Sequence, residues 1–193
     1  TAPSTRTHRL PPVSGLIALG GTALFMCGIM AFWSYAAPLI REITHAGVAA
    51  DVAIPMVIGV HILGGLVAAI SSRFSPMLVC VCGPMAIITC MAAVIVFESV
   101  VVQHALLLLF AFIWMFVPPF QLPFLLNIDP SARSAMYVSS GHLTGIAVGP
   151  FLASLAVTRE SVFGAMGVAL ICLAGAAALP VVARYLIWRS EGR

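Results

Sequence analysis

Long apolar runs alternate with short polar segments along the whole chain. The apolar runs cover residues 15–40, 52–70, 77–97, 104–126, 136–157 and 162–187. About 20 helical residues at a rise of about 1.5 Å cross a bilayer core of about 30 Å, so each run is long enough to span it. Open strands would leave backbone groups unpaired in lipid. The pattern therefore predicts an all-α polytopic membrane protein with six transmembrane helices in one domain, residues 15–188.

The polar segments define the ends of this domain and its turns. Residues 1–14 are polar and proline-rich and lack the apolar stretch of a signal peptide, which predicts a cytoplasmic linker or tail. Residues 189–193 form a second short tail. The region from 77 to 126 carries one charge, Glu98, and is too long for one helix, so we expect it to break near residues 98–104.

The arginines give an independent test of the six spans. With six spans, Arg41 and Arg159 fall on one side, and seven fall on the other: Arg6, Arg9, Arg73, Arg133, Arg184, Arg189 and Arg193. A missed or invented span would scramble this bias. Because basic residues accumulate on the cytoplasmic side, we expect both termini in the cytoplasm, with the protein in a bacterial cytoplasmic membrane.

Composition and charge exclude several other classes. The chain of 193 residues is 62% hydrophobic and 8% charged, which is typical of membrane proteins. Its basic residues stand singly between apolar runs, so nucleic-acid binding is not expected. The five cysteines all lie within apolar runs, which favours neither a disulfide framework nor a metal site. Zincin, hydrolase and phosphate-loop motifs are missing, so we expect neither an enzyme nor a cofactor.

The membrane-embedded polar residues are the candidates for solute contact. Charges are missing from the middle of every span, which leaves His61 and His142 as the main titratable polar groups there. Each histidine either bonds to a neighbouring helix or binds solute or a proton. The short segments around them, GVHILG and SGHLTG, are alike and lie three spans apart. This offset reverses chain direction, which is the pattern of an inverted-topology repeat.

Two further spans carry inward-facing candidates. In the fourth span, Gln121 stands among three prolines, and Trp114 shares its stripe, so a locally broken helix would present an amide and an indole to a cavity. In the first span, Trp33 is expected in the interfacial aromatic belt, while Ser34 and Tyr35 could contact solute. Ser139, on the same stripe as His142, completes the set. We expect the third and sixth spans, which are poor in polar residues, to face lipid.

Together these features resemble the carboxy-terminal half of a major facilitator superfamily transporter, over residues 15–190. The loop AISSRFSP is similar to the signature Gly-x-x-x-Asp-Arg-x-Gly-Arg-Arg, with Arg73 in the arginine position and with Ala68, Ser72 and Ser75 replacing other members. The fifth span resembles the glycine-rich helix of this family. Small residues let helices pack closely, and the expected packing positions are Gly64, Gly65, Gly141, Gly145, Gly149 and Pro150.

The resemblance implies a 3+3 inverted repeat and half of a secondary transporter. Such a half requires an amino-terminal six-helix partner, from the same polypeptide or from a second copy. The start at Thr1 fits either a processed terminus or a cut from a longer chain. Arg73 would belong to a gating loop. The expected solute is small and uncharged or aromatic. The alternative is a self-contained six-helix scaffold, or a redox subunit with His61 and His142 as haem ligands.

Overall fold

A computed structural model describes residues 11–44, 47–71 and 73–191, and within these ranges all regular secondary structure is helical. Arg6, Arg9, Ser72 and Arg193 therefore lie outside the described residues, as does most of the linker 1–14. The helices are α1 (Val13–Trp33), α2 (Ala36–Thr44), α3 (Gly47–Ile70), α4 (Pro76–Val96), α5 (Val100–Phe116), α6 (Pro118–Ile128), α7 (Val138–Ala156) and α8 (Phe163–Glu191). One turn of 3₁₀ helix, Ala135–Tyr137, precedes α7.

Five helical segments in the described part of the chain are long and apolar enough to cross a membrane. They are Val13–Trp33, Pro76–Val96, Val100–Ile128, Ala135–Ala156 and Phe163–Arg189. A shorter apolar helix, Met56–Ile70, lies where the second span was predicted. Lengths and compositions of this kind indicate an integral membrane protein.

The first predicted span, 15–40, consists of two helices instead of one. The break falls at Ser34 and Tyr35, whose N–H groups donate to Met30 O and Phe32 O, both at 3.1 Å. Pro38 has no N–H to give to the carbonyl four residues earlier, that of Ser34, so one helical hydrogen bond is lost at this point. The helical path then extends beyond the predicted end at residue 40, because α2 reaches Thr44.

The break between the third and fourth spans is much shorter than predicted. Only Phe97–Ser99 are non-helical, and α5 begins at Val100 instead of residue 104. The buried side chain of Gln103 explains this tight turn, because its Nε2 donates to Val94 O at 3.3 Å and to Phe97 O at 2.9 Å. A later change of helix, from α5 to α6, falls at Val117 before Pro118, within one long span.

Helix α1 lies at the centre of the packing. It runs parallel to α7, because Gly141 near the start of α7 lies against Leu19 near the start of α1. It runs antiparallel to α8, because Gly21 in the first half of α1 lies against Leu179 in the second half of α8. A second pair, α3 and α5, also packs together, and α4 contacts α5, α6 and α8. The largest fully buried side chains in this core include Phe25, Ile29, Phe110 and Leu173.

The two rim helices of the bundle are α3 and α7. Only 17% of the α7 span is buried, compared with 61% of α1 and 44% of α8. Exposed apolar side chains cover the outer faces of both rim helices, among them Ile62 and Leu66 on α3 and Phe151 and Leu155 on α7. Helices α4 and α8, the predicted third and sixth spans, pack against each other and on α5 or α1, and the expectation that they face lipid stays a prediction.

Candidate functional site

His61 on α3 lies against two tryptophans from different helices. Its ring centroid is 4.4 Å from that of Trp114 on α5, in an edge-to-face arrangement, and 6.5 Å from that of Trp33 at the end of α1. The two indoles also meet edge to face, at 5.6 Å. We call Trp33, His61 and Trp114 the aromatic trio. It joins residues 33, 61 and 114 from three spans into one contiguous surface.

One nitrogen of the aromatic trio lacks a hydrogen-bond partner. Nε2 of His61 is buried and makes no hydrogen bond within the described structure. An unsatisfied buried polar group costs about 1–3 kcal/mol, and the surrounding indole rings cannot offset that cost with a conventional acceptor. An additional polar group that bonded to this nitrogen would remove that cost.

The second histidine is satisfied. Nε2 of His142 on α7 and Oε1 of Gln121 on α6 are 2.5 Å apart. Because an amide oxygen can only accept, His142 carries its proton on Nε2 and donates it. Gln121 is buried, at 3% exposure, whereas His142 is half-buried. The two similar sequence contexts thus hold imidazoles with different surroundings, one bonded and one without a partner.

The remaining predicted site residues stay outside these two groups. Ser34 is exposed, and its hydroxyl donates to Met30 O at 2.8 Å on its own helix. Tyr35 lies in the same turn, half-buried against the hydrophobic core. Ser139 in the first turn of α7 and Arg73 in the loop before α4 are both exposed. Within the described chain, no polar contact links Ser34, Ser139 or Arg73 to His61 or His142.

The glycines of α7 line its contact with α1. A Cβ on Gly145 would overlap the carbonyl oxygen of Ala23, and one on Gly149 would overlap that of Cys27. Gly141 and the buried Ala153 extend the same face, while Pro150 is half-buried. On α3 a Cβ at Gly64 would overlap the carbonyl oxygen of Phe112, but a Cβ at Gly65 meets nothing within 4 Å. Gly64 therefore faces α5, and Gly65 faces open space.

A buried carboxylate, Asp129, organises the loop between α6 and α7, where its position before Pro130 is a sequence signal for a turn. Asp129 is 2% exposed, and its Oδ2 accepts from Ser134 N at 2.9 Å and Ser134 Oγ at 2.8 Å. Its Oδ1 accepts from the backbone N–H and the hydroxyl of Ser131. Burial raises the pKa of Asp129, but the hydrogen bonds from Ser131 and Ser134 together outweigh burial and hold this pKa below its ordinary value.

This loop packs against the beginning of α1. A Cβ on Gly15 would overlap the hydroxyl of Ser134 and lie 3.4 Å from Cβ of Asp129. At the opposite end of the bundle, Oε2 of Glu42 accepts from Val162 N at 3.0 Å, which ties α2 to the start of α8. That backbone hydrogen bond lowers the pKa of Glu42. Both ends of the bundle are thus fastened by a carboxylate and backbone N–H groups.

The distance in sequence between Trp33 and Trp114 matches that between other pairs of residues in the chain. Trp33 and Trp114 are 81 residues apart, which is the separation of His61 from His142 and of Gly64 from Gly145. The ring of Trp33 lies against that of Trp114, and its position in an interfacial belt stays a prediction. The histidine and glycine pairs both belong to the similar segments GVHILG and SGHLTG, so the tryptophan pair adds one further coincidence at the same separation.

The arrangement offers neutral hydrogen-bonding groups and aromatic rings, but no grouping suited to a metal. Among the described residues, no cluster of three or more His, Cys, Asp or Glu side chains could hold a metal ion. The five cysteines are free thiols. Comparison with family models, curated proteins and solved structures finds no match.

Proposed function

We propose that the chain is the carboxy-terminal six-helix half of a secondary transporter resembling the major facilitator superfamily, and that it moves a small uncharged or aromatic solute. The observation that carries the proposal is a symmetry in the helix packing. If the first three spans are exchanged with the last three, the contact between α1 and α7 becomes the contact between α3 and α5. The same exchange converts the α1 and α8 pair into the α5 and α4 pair.

These contacts are those that an inverted 3+3 repeat requires, except that α7 packs on α8 more extensively than α3 packs on α4. The contact between α4 and α8 maps onto itself under the exchange, as does that between α1 and α6. The common separation of 81 residues between the two tryptophans and between the two histidines supports the same relation from the sequence. Inverted repeats of this type characterise secondary transporters, whose substrate sites lie near the membrane midplane between repeats.

The chemistry of the aromatic trio supports the choice of solute. A planar molecule can pack against the indole rings of Trp33 and Trp114 in place of their contact with each other. A hydrogen-bonding substituent on that molecule can bond to His61 Nε2. The spans lack central Arg, Lys, Asp and Glu, so an ionic solute would be left without a counter-charge in a low-dielectric surrounding. Gln121 and His142 offer further neutral contacts.

An amino-terminal six-helix half would be the partner of this chain. The exposed apolar faces of α3 and α7 are the surfaces that such a partner and lipid would cover. The Asp129 loop contacts the start of α1, which places Arg133 at that end of the bundle. The hydrogen bond between Glu42 and Val162 places Arg41 and Arg159 together at the other end. This grouping is compatible with both termini in the cytoplasm under the positive-inside rule.

Intrinsic fluorescence tests the solute site directly. The chain has three tryptophans, and Trp188 lies far along α8, so Trp188→Phe leaves emission from the aromatic trio alone. We expect neutral phenols and indoles to shift or quench this emission. His61→Phe should weaken their binding by about tenfold, which corresponds to about 1.4 kcal/mol for one lost hydrogen bond. His104→Gln, a change in the first turn of α5, should leave binding unchanged.

Two results would contradict the proposal. Tight binding of a dianion by these six helices alone would rule out the uncharged solute class. A Soret band in the purified protein, lost in both His61→Ala and His142→Ala, would establish haem ligation instead. Flux of the same solutes through the full-length protein in liposomes, with and without a proton gradient, then tests transport itself.

A further inference from the structure

A small cavity lies inside the bundle between α1, α4, α6 and α8. Its walls include Thr22, Cys80, Pro84, Gln121, Ala176 and Pro180. Every residue that lines it is buried. The space is about that of one water molecule. The cavity is separate from the aromatic trio, none of whose residues contributes to its walls.

Two prolines in the cavity wall leave carbonyl groups without their usual helical N–H partner. Pro84 inside α4 has no N–H for the carbonyl of Cys80, and Pro180 inside α8 has none for the carbonyl of Ala176. Both carbonyl-bearing residues line the same cavity as the prolines. The oxygen of Ala176 faces α1, because a Cβ built on Gly21, another wall residue, would lie 3.7 Å from it.

The side chains supply one donor group and one more acceptor. Oε1 of Gln121 faces His142 Nε2, so the amide NH₂ of Gln121 remains for other partners. Thr22 donates its hydroxyl proton to Leu19 O at 2.8 Å, so it presents only lone pairs to the cavity. The walls thus combine an N–H donor with three oxygen acceptors around a space of one water.

We propose that this cavity binds one ordered water molecule that links the proline-freed carbonyls of Cys80 and Ala176 to the amide of Gln121. The water accepts a hydrogen bond from Gln121 Nε2 and donates one to each carbonyl. Three bonds are the usual number for a buried water. A metal cation fits poorly, because the amide N–H would point at it and the cavity walls contain no carboxylate.

The water has a consequence for His142. It holds the amide of Gln121 in one orientation, with Oε1 toward α7, and so keeps the proton of His142 on Nε2. Nδ1 of His142 is then an acceptor, so α7 presents an acceptor rather than a donor at residue 142. Gln121 is a positioning residue in this chain of hydrogen bonds. The inference concerns the bundle interior and does not depend on transport.

Radiolytic hydroxyl-radical labelling of the intact protein in nanodiscs tests the proposal without any substitution. Radicals formed from a bound water react with side chains next to it. Cys80, in the cavity wall, and Cys90, outside the wall on the same helix, are both buried thiols. We expect Cys80 to be labelled faster than Cys90. Equal labelling of the two thiols would overturn the proposal.

Variants and a second readout identify the partners of the water. Pro84→Ala restores an N–H for the carbonyl of Cys80, and Gln121→Leu removes the donor, so both should abolish the excess labelling of Cys80. Nitrogen NMR of His142 should report the Nε2–H tautomer in the wild type and its loss in Gln121→Leu. Retention of the tautomer and of the labelling in Gln121→Leu would contradict the proposed bridge. Protection of Cys80 from labelling by Na⁺, but not by choline, would show that the cavity binds a cation, which would overturn the proposal of a bound water.

Discussion

Replacement of Gly145 by valine is expected to destabilise the protein by at least about 3 kcal/mol and to separate α7 from α1. A Cβ at this position would overlap the carbonyl oxygen of Ala23 and lie 2.8 Å from both Cys27 N and Met26 Cβ. Two of these three atoms belong to the backbone of α1, which cannot turn aside as the end of a flexible side chain can. The branched side chain of valine adds further overlap.

Thermal unfolding of the protein in detergent measures this effect. The matched control is Gly167→Val on α8, because a Cβ there meets nothing within 4 Å. A finer comparison uses neighbouring glycines of α3, with Gly64→Ala expected to destabilise and Gly65→Ala expected to be tolerated. Equal melting temperatures for Gly145→Val and Gly167→Val would show that α7 does not pack on α1 through this face.

The glycine pattern illustrates how far sequence reasoning could reach. Small residues at intervals of four predict a helix face that packs closely, and Gly141, Gly145 and Gly149 occupy such a face on α7. The pattern does not name the partner helix, because periodicity within one segment carries no information about its neighbours. It also could not separate Gly64 from Gly65, since adjacent positions differ by about 100° around the helix and only the docked orientation decides.

Helix ends show a second limit. Hydropathy located the apolar segments, but it predicted one helix over 15–40 and a long break at 98–104. The first error reflects Pro38, whose effect on the carbonyl of Ser34 is local and could have been anticipated. The second reflects Gln103, which satisfies two carbonyls of the preceding turn and permits α5 to start early. A polar side chain that folds back onto the backbone leaves no trace in a hydropathy profile.

The aromatic trio shows the same distinction between local and non-local information. The sequence of the fourth span predicted that Trp114 faces inward, and the sequence of the second span made His61 a candidate for solute contact. The meeting of these rings with Trp33 depends on how α1, α3 and α5 pack, which joins positions up to 81 residues apart. The sequence shows only that Trp33 and Trp114 have the same separation as His61 and His142, and this separation does not place the rings in contact.

Loss of the Asp129 carboxylate is expected to cost about 3 kcal/mol, because the loop between α6 and α7 depends on it. Asp129→Ala removes an acceptor that faces the N–H and hydroxyl groups of both Ser131 and Ser134. Ser134 is fully buried and packs against Gly15, so its donors would be left without partners. The beginning of α1 should loosen together with the loop. Thermal unfolding and hydrogen exchange at residues 13–16 measure the two effects.

The pH dependence separates the charge of Asp129 from its shape. Its pKa is lower in the folded protein than the ordinary value of 3.8, so its stabilising contribution is complete above that value and is lost as pH falls through the lowered pKa. Asp129→Asn keeps the volume but cannot accept four hydrogen bonds, and it should remove part of the acid-induced loss of stability. Glu98→Gln, at an exposed position in the α4–α5 turn, is the control and should leave the profile unchanged. If Asp129→Asn and the wild type lose stability in parallel between pH 5 and pH 2, the carboxylate does not hold the loop through its charge.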